Sequence, residues 1–301
     1  MVTPTLPAPT ATRDGLAPRQ SSQFADTWRA LRRDPSGRAG MALLVFFLLL
    51  ACLGPAASPQ NPLTQDIAAR LQPPSRAHWL GTDELGRDVT SRIAHGAHLS
   101  LGVGVISVLL AMVVGGMVGL VSGTQRGLVD RVLMRVMDTM MAFPTTLLAI
   151  AVVSLRGPGL MNTLLAIGVI RVPIFARLTR STALSIREIE YVAAAHAMGA
   201  RAPRIMLRHI LPNSISPLIV QATLGVGSAI VEAAGLGFLG LGQQPPYPEW
   251  GEMLGSSYVY LIRAPWAMFA PGVAIILAVL AFNLFGDALR DAIDPRIRRH
   301  A

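Results

Sequence analysis

The sequence predicts an all-α, polytopic membrane protein with six transmembrane helices, and three observations predict it. Of its 301 residues 52% are hydrophobic and 14% charged, against roughly 25% charged in an average soluble domain. The apolar residues gather into blocks long enough to cross a bilayer. All 26 basic residues are arginine, and with one exception they lie between or beside those blocks.

Residues 1–38 form a cytoplasmic tail. Its first 23 residues are rich in Pro, Thr and Ala with no apolar period, the composition of a disordered segment. Trp28, Arg29, Arg32, Arg33 and Arg38 then make a short basic stretch suited to the anionic inner face of a membrane.

A helix rises about 1.5 Å per residue, so a hydrocarbon core of about 30 Å takes about 20 apolar residues. Stretches that satisfy this run over Ala39–Ala57, Leu99–Gly123, Thr139–Leu155, Leu160–Ala176, Pro212–Val231 and Pro265–Gly286. Residues 39–95 then hold the first span and an external loop, 96–292 a core of five spans, and 293–301 a basic cytoplasmic tail. Basic residues favour cytoplasmic loops. With both termini inside, nineteen arginines fall in cytoplasmic segments, six in outer loops, and Arg171 within a span.

Gly115, Gly119 and Gly123 repeat every four residues in the second span and predict a smooth stripe for close helix approach. Arg171 precedes Arg177 by six residues, about 9 Å along a helix, so its side chain is expected to snorkel to the cytoplasmic surface. Glu232 follows more than twenty uncharged residues and must either pair with a neighbour or line a wet cavity. The lone cysteine, Cys52, is expected to pack in the first span.

Several functions are excluded or weakened. Arginines dispersed between apolar blocks are not a nucleic-acid footprint. With no lysine, the chain lacks the residue a Walker loop uses to reach nucleotide phosphates. Gly235, Gly237 and Gly240 match the dinucleotide spacing but lie between two spans, without the strand and helix that give the motif meaning. The six histidines fall in loops or at span edges, so neither a metal site nor an intramembrane enzyme is expected.

The loop over residues 185–212 is the most informative segment. Ser185 and Glu188 are spaced as a capping box, good helix formers follow, and Gly199 suits a left-handed closing position, which predicts a helix of about 13 residues. Pro203 can open a second helix and Pro212 close it, with Arg201, Arg204 and Arg208 on one face.

This loop resembles the EAA loop of type I ABC importer permeases: Glu-Ala-Ala, three residues, Gly, nine residues, Ile, one residue, Leu-Pro. The sequence supplies Ala194, Ala195, Gly199, Leu211 and Pro212 in register, with Ala193 in place of Glu and His209 in place of Ile. The resemblance spans roughly residues 28–295 and is to the C-type subunit of the dipeptide, oligopeptide and nickel permease group. It is carried by His78 through Asp88, Ala142-Phe143-Pro144, Glu190-Tyr191-Val192, His209 through Asn213, Glu232-Ala233-Ala234, Trp250-Gly251 and Ala281 through Asp291.

The resemblance implies a heterodimer with a related B-type permease, two cytoplasmic ATPases that carry ATP and Mg²⁺, an external solute-binding protein and a peptide cargo, with nickel or another small solute as the alternative. It implies no cofactor on this chain and a place in the bacterial inner membrane. ATPase docking would fall to Glu188, Glu190, Tyr191, Ala194, Ala195, Gly199, Arg204, Arg208, Leu211 and Pro212. Phe143, Glu232 and Asn283 become candidates for the path or gate, and Asp83, Arg87, Asp88 and Trp250 for the external loop. Without the family Glu at Ala193, the docking contact either passes to Glu188 and Glu190, is apolar, or uses the loop arginines.

Overall fold

In a bilayer every backbone N–H and C=O must be satisfied within the chain, so long apolar runs become helices. A computed structural model describes residues 23–125 and 127–293. In chain order the helices are α1 (Gln23–Arg33), α2 (Pro35–Ala57), α3 (Val89–Gln125), α4 (Leu128–Met141), α5 (Thr145–Arg156), α6 (Leu160–Arg187), α7 (Glu190–Ala197), α8 (Ala202–Ile205), α9 (Leu211–Phe238), α10 (Trp250–Ser257) and α11 (Pro265–Ile293). Among the described residues the only strand-like pairing is a bridge between Thr82 and Asp88.

Among the described residues five helices are long and apolar enough to cross a membrane: α2, α3, α6, the continuous helix Ala202–Phe238, and α11. The sixth span, expected over Thr139–Leu155, is broken: α4 and α5 meet at 94°. Pro144 explains the position of the bend, because it lacks an N–H and disfavours helical backbone at Phe143. Charge explains the direction of α4. Asp130 is held by Arg180 at 2.6 and 2.7 Å, and Asp138 by Arg177 at 2.6 Å, so α4 is clamped along α6. The twelve residues of α5 cover only about 18 Å.

The glycine stripe packs as expected. A Cβ on Gly115 or Gly119 would run into the carbonyl oxygens of Val172 and Ala176, and one on Gly123 would sit 2.6 Å from Ala183 Cβ. The backbones of α3 and α6 therefore approach at a distance only glycine permits. Around this pair a single core gathers Phe47, Val108, Phe175, Ile230, Trp250 and Ala278 from α2, α3, α6, α9, α10 and α11.

Boundaries differ from expectation at two places, and one side chain differs in burial. α3 begins at Val89, so the division at residues 95/96 cuts a helix. Residues 23–38, assigned to the tail, are largely helical, whereas 1–22 and 294–301 lie outside the described residues. Cys52 is exposed instead of packed.

Candidate coupling loop, membrane-buried ion pair and outer cap

The coupling loop folds differently from the capping-box reading. Ser185 lies inside α6, its hydroxyl donating to Ser181 O at 3.1 Å, and Glu188 is the exposed C-cap residue of α6. The projecting helix α7 is therefore only eight residues long, starting at Glu190, whose charge suits a helix N-terminus. Gly199 does close it, with φ at +83° and open space where a Cβ would be. Ser185 lost to the continuing helix because Ala183 and Ile186 bury against Val192, Ile205 and Ile210, which rewards one more turn of α6.

Pro203 opens α8, as expected, but Pro212 does not end it. A π-helical turn over Met206–Ile210 widens the backbone, and Leu211 N bonds to Met206 O. The wider turn accommodates the ring of Pro212 in the first turn of α9. Asn213 Nδ2 donates to His209 O at 2.6 Å and to the Tyr191 hydroxyl at 3.1 Å, tying α7 to the base of α9.

The inner face of α7 is thus Val192 and Ala195, while Tyr191, Ala193, Ala194, Ala197 and Met198 are uncovered, Met198 at 83%. Arg201, Arg204 and Arg208 are all exposed, and Leu211 is half-buried beneath them. Ala193 borders a cleft of about 300 Å³ together with Arg187, Glu188, Val192 and Ile205.

Arg171 does not snorkel. Its Nε donates to Glu232 Oε2 at 3.1 Å and its Nη2 lies 3.0 Å from Glu232 Oε1, a two-point pairing that joins α6 to α9. Gly225 opposite leaves room for the guanidinium, since a Cβ there would stand 3.7 Å from Nη1. A paired charge within the span costs less than an isolated one that must reach for the surface. The three path candidates do not converge. Phe143 stands exposed at the α4–α5 corner, Glu232 is committed to Arg171, and Asn283 on α11 lies against Gly227.

At the opposite end of α3, the expected residues Asp83, Arg87 and Asp88 form one ionic turn, Trp250 packs separately against α2 and α3, and other residues link the two. Asp83 accepts from Arg87 Nε at 2.6 Å and lies 3.4 Å from Arg92 Nε. Arg92, 1% exposed, reaches across to Glu252 at 3.0 Å. Asp88 accepts from the backbone and hydroxyl of Ser91, both at 2.7 Å, and meets His78 Nδ1 at 3.0 Å. Trp250 is fully buried, donates from its indole to Ile93 O at 3.1 Å and packs edge-on to Phe47.

Glu249 caps α10, accepting from Gly251 N, Glu252 N and the Ser100 hydroxyl at 2.9 to 3.0 Å. Burial pushes the Glu249 carboxyl up, against those three donors. Burial likewise pushes Glu252 up to about 7, against the pull of Arg92. Arg92, Ser100, Glu249 and Glu252 were missed in the sequence because their only signal is a few polar residues beside long apolar runs, which does not say what they face.

Comparison with known proteins accounts for this arrangement. Residues 115–299 match the binding-protein-dependent transport system inner membrane component family, and residues 22–74 match the N-terminal transmembrane domain of oligopeptide transport permease C. The Dipeptide transport system permease protein DppC of Alkalihalophilus pseudofirmus is 46% identical over 92% of this chain and 91% of its own. The Di/tripeptide transport system permease protein DppC of Pseudomonas aeruginosa is 43% identical over 93% and 94%. In fold, the chain is similar to the MetNI methionine ABC transporter in inward-facing conformations, with TM-score 0.56 and 20% identity over 67% of this chain and 97% of that one. A mostly helical membrane chain with a short helix projecting between α6 and α9, matched from residue 115 to the end of α11 and beyond, belongs to the binding-protein-dependent transport system inner membrane component family.

Proposed function

We propose that this chain is a permease subunit of an ATP-driven importer of di- or oligopeptides. It would work beside a second, related permease, with an external solute-binding protein on its outer side and two ATPases, carrying ATP and Mg²⁺, docked on α7. Both termini would be cytoplasmic, which the nineteen arginines of the inner segments support. The relatives described above support the peptide cargo, since both are named for transport of di- or tripeptides.

The observation that carries the reading is the uncovered face of α7. Tyr191, Ala193, Ala194, Ala197 and Met198 form a largely apolar surface, three alanines flanked by two large side chains, on a helix whose opposite side is fixed by Val192 and Ala195. Such a helix moves as one body with what it is fixed to, and here that is α6 and α9, which flank the loop. Arg171 lies sixteen residues before Arg187, about 24 Å along α6. The Arg171–Glu232 pair thus staples the same two helices at a distance from the loop, and a push on α7 tilts them as a unit.

Gly199→Val tests this. Its positive φ strains a β-branched residue by on the order of 1–2 kcal/mol, redirecting α8 with no clash elsewhere. We expect normal membrane levels of the reconstituted complex, with loss of substrate-stimulated ATP hydrolysis and of peptide uptake. Wild-type hydrolysis and uptake in the variant would show that the loop is only a connection. Orientation is tested separately in a Cys52→Ser background. A cysteine at exposed Ser75 should react with an impermeant thiol reagent in intact cells, and one at exposed Ser185 should not.

A further inference from the structure

At the base of α2 two arginines stand at the head of an apolar gutter. α1 is folded back onto this base: Leu31 is buried against Ala288 and Ala292 of α11, and Asp34 caps α2 by accepting from Gly37 N at 2.9 Å. Gly37 allows the fold-back, since a Cβ there would lie 2.7 Å from Leu31 O. The turn brings Arg32 of α1 beside Arg38 of α2. Together they border an open cleft of about 570 Å³ whose floor is Met41, Ala42 and Val45.

Positions 38, 41, 42 and 45 fall on one stripe of α2. Leu48 and Leu49 continue it, 61% and 52% exposed. Arg32 stacks 4.9 Å over the Trp28 ring, and Trp28 is the residue type that settles at the headgroup level. Asp34 is the nearby carboxylate and feels the charge of Arg38, but its oxygens are bonded to Ser36 and Gly37.

We propose that this cleft binds an anionic phospholipid, its phosphate between Arg32 and Arg38 and an acyl chain along Met41, Val45 and Leu49. A free phosphate would satisfy the two cations and leave the gutter empty. An apolar helix from another subunit would fill the gutter and desolvate two guanidiniums with Asp34 as their one neighbouring carboxylate, which is costly. Only a molecule with an anionic head and a hydrocarbon tail satisfies both parts. Placement on the inner leaflet rests on the orientation proposed above, but binding does not depend on it.

The test is native mass spectrometry of the whole complex, released from detergent with phosphatidylglycerol, with phosphatidylethanolamine of the same chains, or with inorganic phosphate. We expect retained phosphatidylglycerol in excess of phosphatidylethanolamine. Retention should fall roughly thirtyfold in Arg32→Gln/Arg38→Gln, about fivefold per guanidinium near the surface. Arg33→Gln, on the same helix but outside the cleft, should change little. Arg32→Lys/Arg38→Lys, which preserves charge, should retain lipid in part, showing that loss in the Gln pair is not misfolding. Phosphatidylglycerol bearing a photoreactive acyl chain should label the stretch from Met41 to Leu49 in wild type. Equal loss in Arg33→Gln, equal retention of the two lipids, binding of inorganic phosphate alone, or labelling only elsewhere would each overturn the site. So would efficient crosslinking of Val45→Cys to the neighbouring permease subunit.

Discussion

The cap around Trp250 and the α7 loop, at opposite ends of α3, solve opposite problems. In the cap, Arg92 joins Asp83 to Glu252, Glu249 accepts from Glu252 N, and buried Trp250 bonds to Ile93 O and the Ser100 hydroxyl, so α3, α10 and the loop before α3 are closed within one chain. At the other end α7 is eight residues long, held on one side only, with Met198 and Tyr191 left uncovered. A helix this short draws little stability from its own hydrogen bonds and depends on packing. One end is therefore closed on itself, while the other leaves an apolar helix face uncovered, the face proposed above to dock an ATPase.

The sharpest way to break this comparison is to remove a charge from each end. Arg92→Met leaves Glu252 buried without its partner, and breaking a buried pair costs about 3–5 kcal/mol. We expect the variant to be largely lost from membranes, read by immunoblot and by thermal unfolding in detergent. Arg204→Met removes an exposed arginine from the inner loop and should change stability by no more than about 0.5 kcal/mol. Comparable losses in both would erase the distinction between a locked and an open end.

A second, smaller effect separates stapling from surface charge along α6 and α9. Arg171→Met alone and Glu232→Leu alone each strand a charge at membrane depth and should cost about 2–3 kcal/mol. The double variant should recover much of that loss, because neither charge is stranded. The check is a double-mutant cycle on thermal unfolding of the purified complex. Additive losses would mean that the two residues act independently, against a staple that moves α6 and α9 together.

How much of this was legible in the sequence follows from what each signal measures. Hydropathy measures depth, so α2, α3, α6, α9 and α11 were visible, and the spacing of Gly115, Gly119 and Gly123 foretold the approach of α3 to α6. Hydropathy does not measure direction, so Thr139–Leu155 read as one span although Pro144 and the Asp130 and Asp138 clamps turn it by 94°. Local capping rules placed Gly199 correctly but misplaced Ser185, because tertiary burial of Ile186 extended α6 through it. Arg171 and Glu232 are sixty-one residues apart, and no local pattern announces a pair between two spans. The candidate docking residues came from motif register, whereas the Arg92–Glu252 pair needed coordinates, since the bond that joins them crosses 160 positions.

The smallest expected effect sharpens the account of the outer cap by asking what holds Glu252 in place. Its carboxyl is pushed from the ordinary value of about 4.5 up to about 7, driven first by burial and opposed by Arg92 and Arg87, with Glu84 and Glu249 adding to the upward push. Between those two values the folded chain binds a proton that the unfolded chain has released. Stability therefore falls as pH rises from about 4.5 through about 7, and the contribution is gone above that range. Other groups also titrate there, so the measurement is the difference between wild type and Glu252→Gln, which cannot ionise but still offers Arg92 an acceptor. Wild type should lose a few degrees more in melting temperature than the variant between pH 5.5 and pH 8. The opposite sign, with wild type gaining on the variant as pH rises, would mean that attraction to Arg92 outweighs the cost of burial. The outer cap would then be held by a charged pair, and its closure should weaken with salt only where water reaches it. The predicted sign means instead that the cost of burying the charged Glu252 carboxyl outweighs its attraction to Arg92.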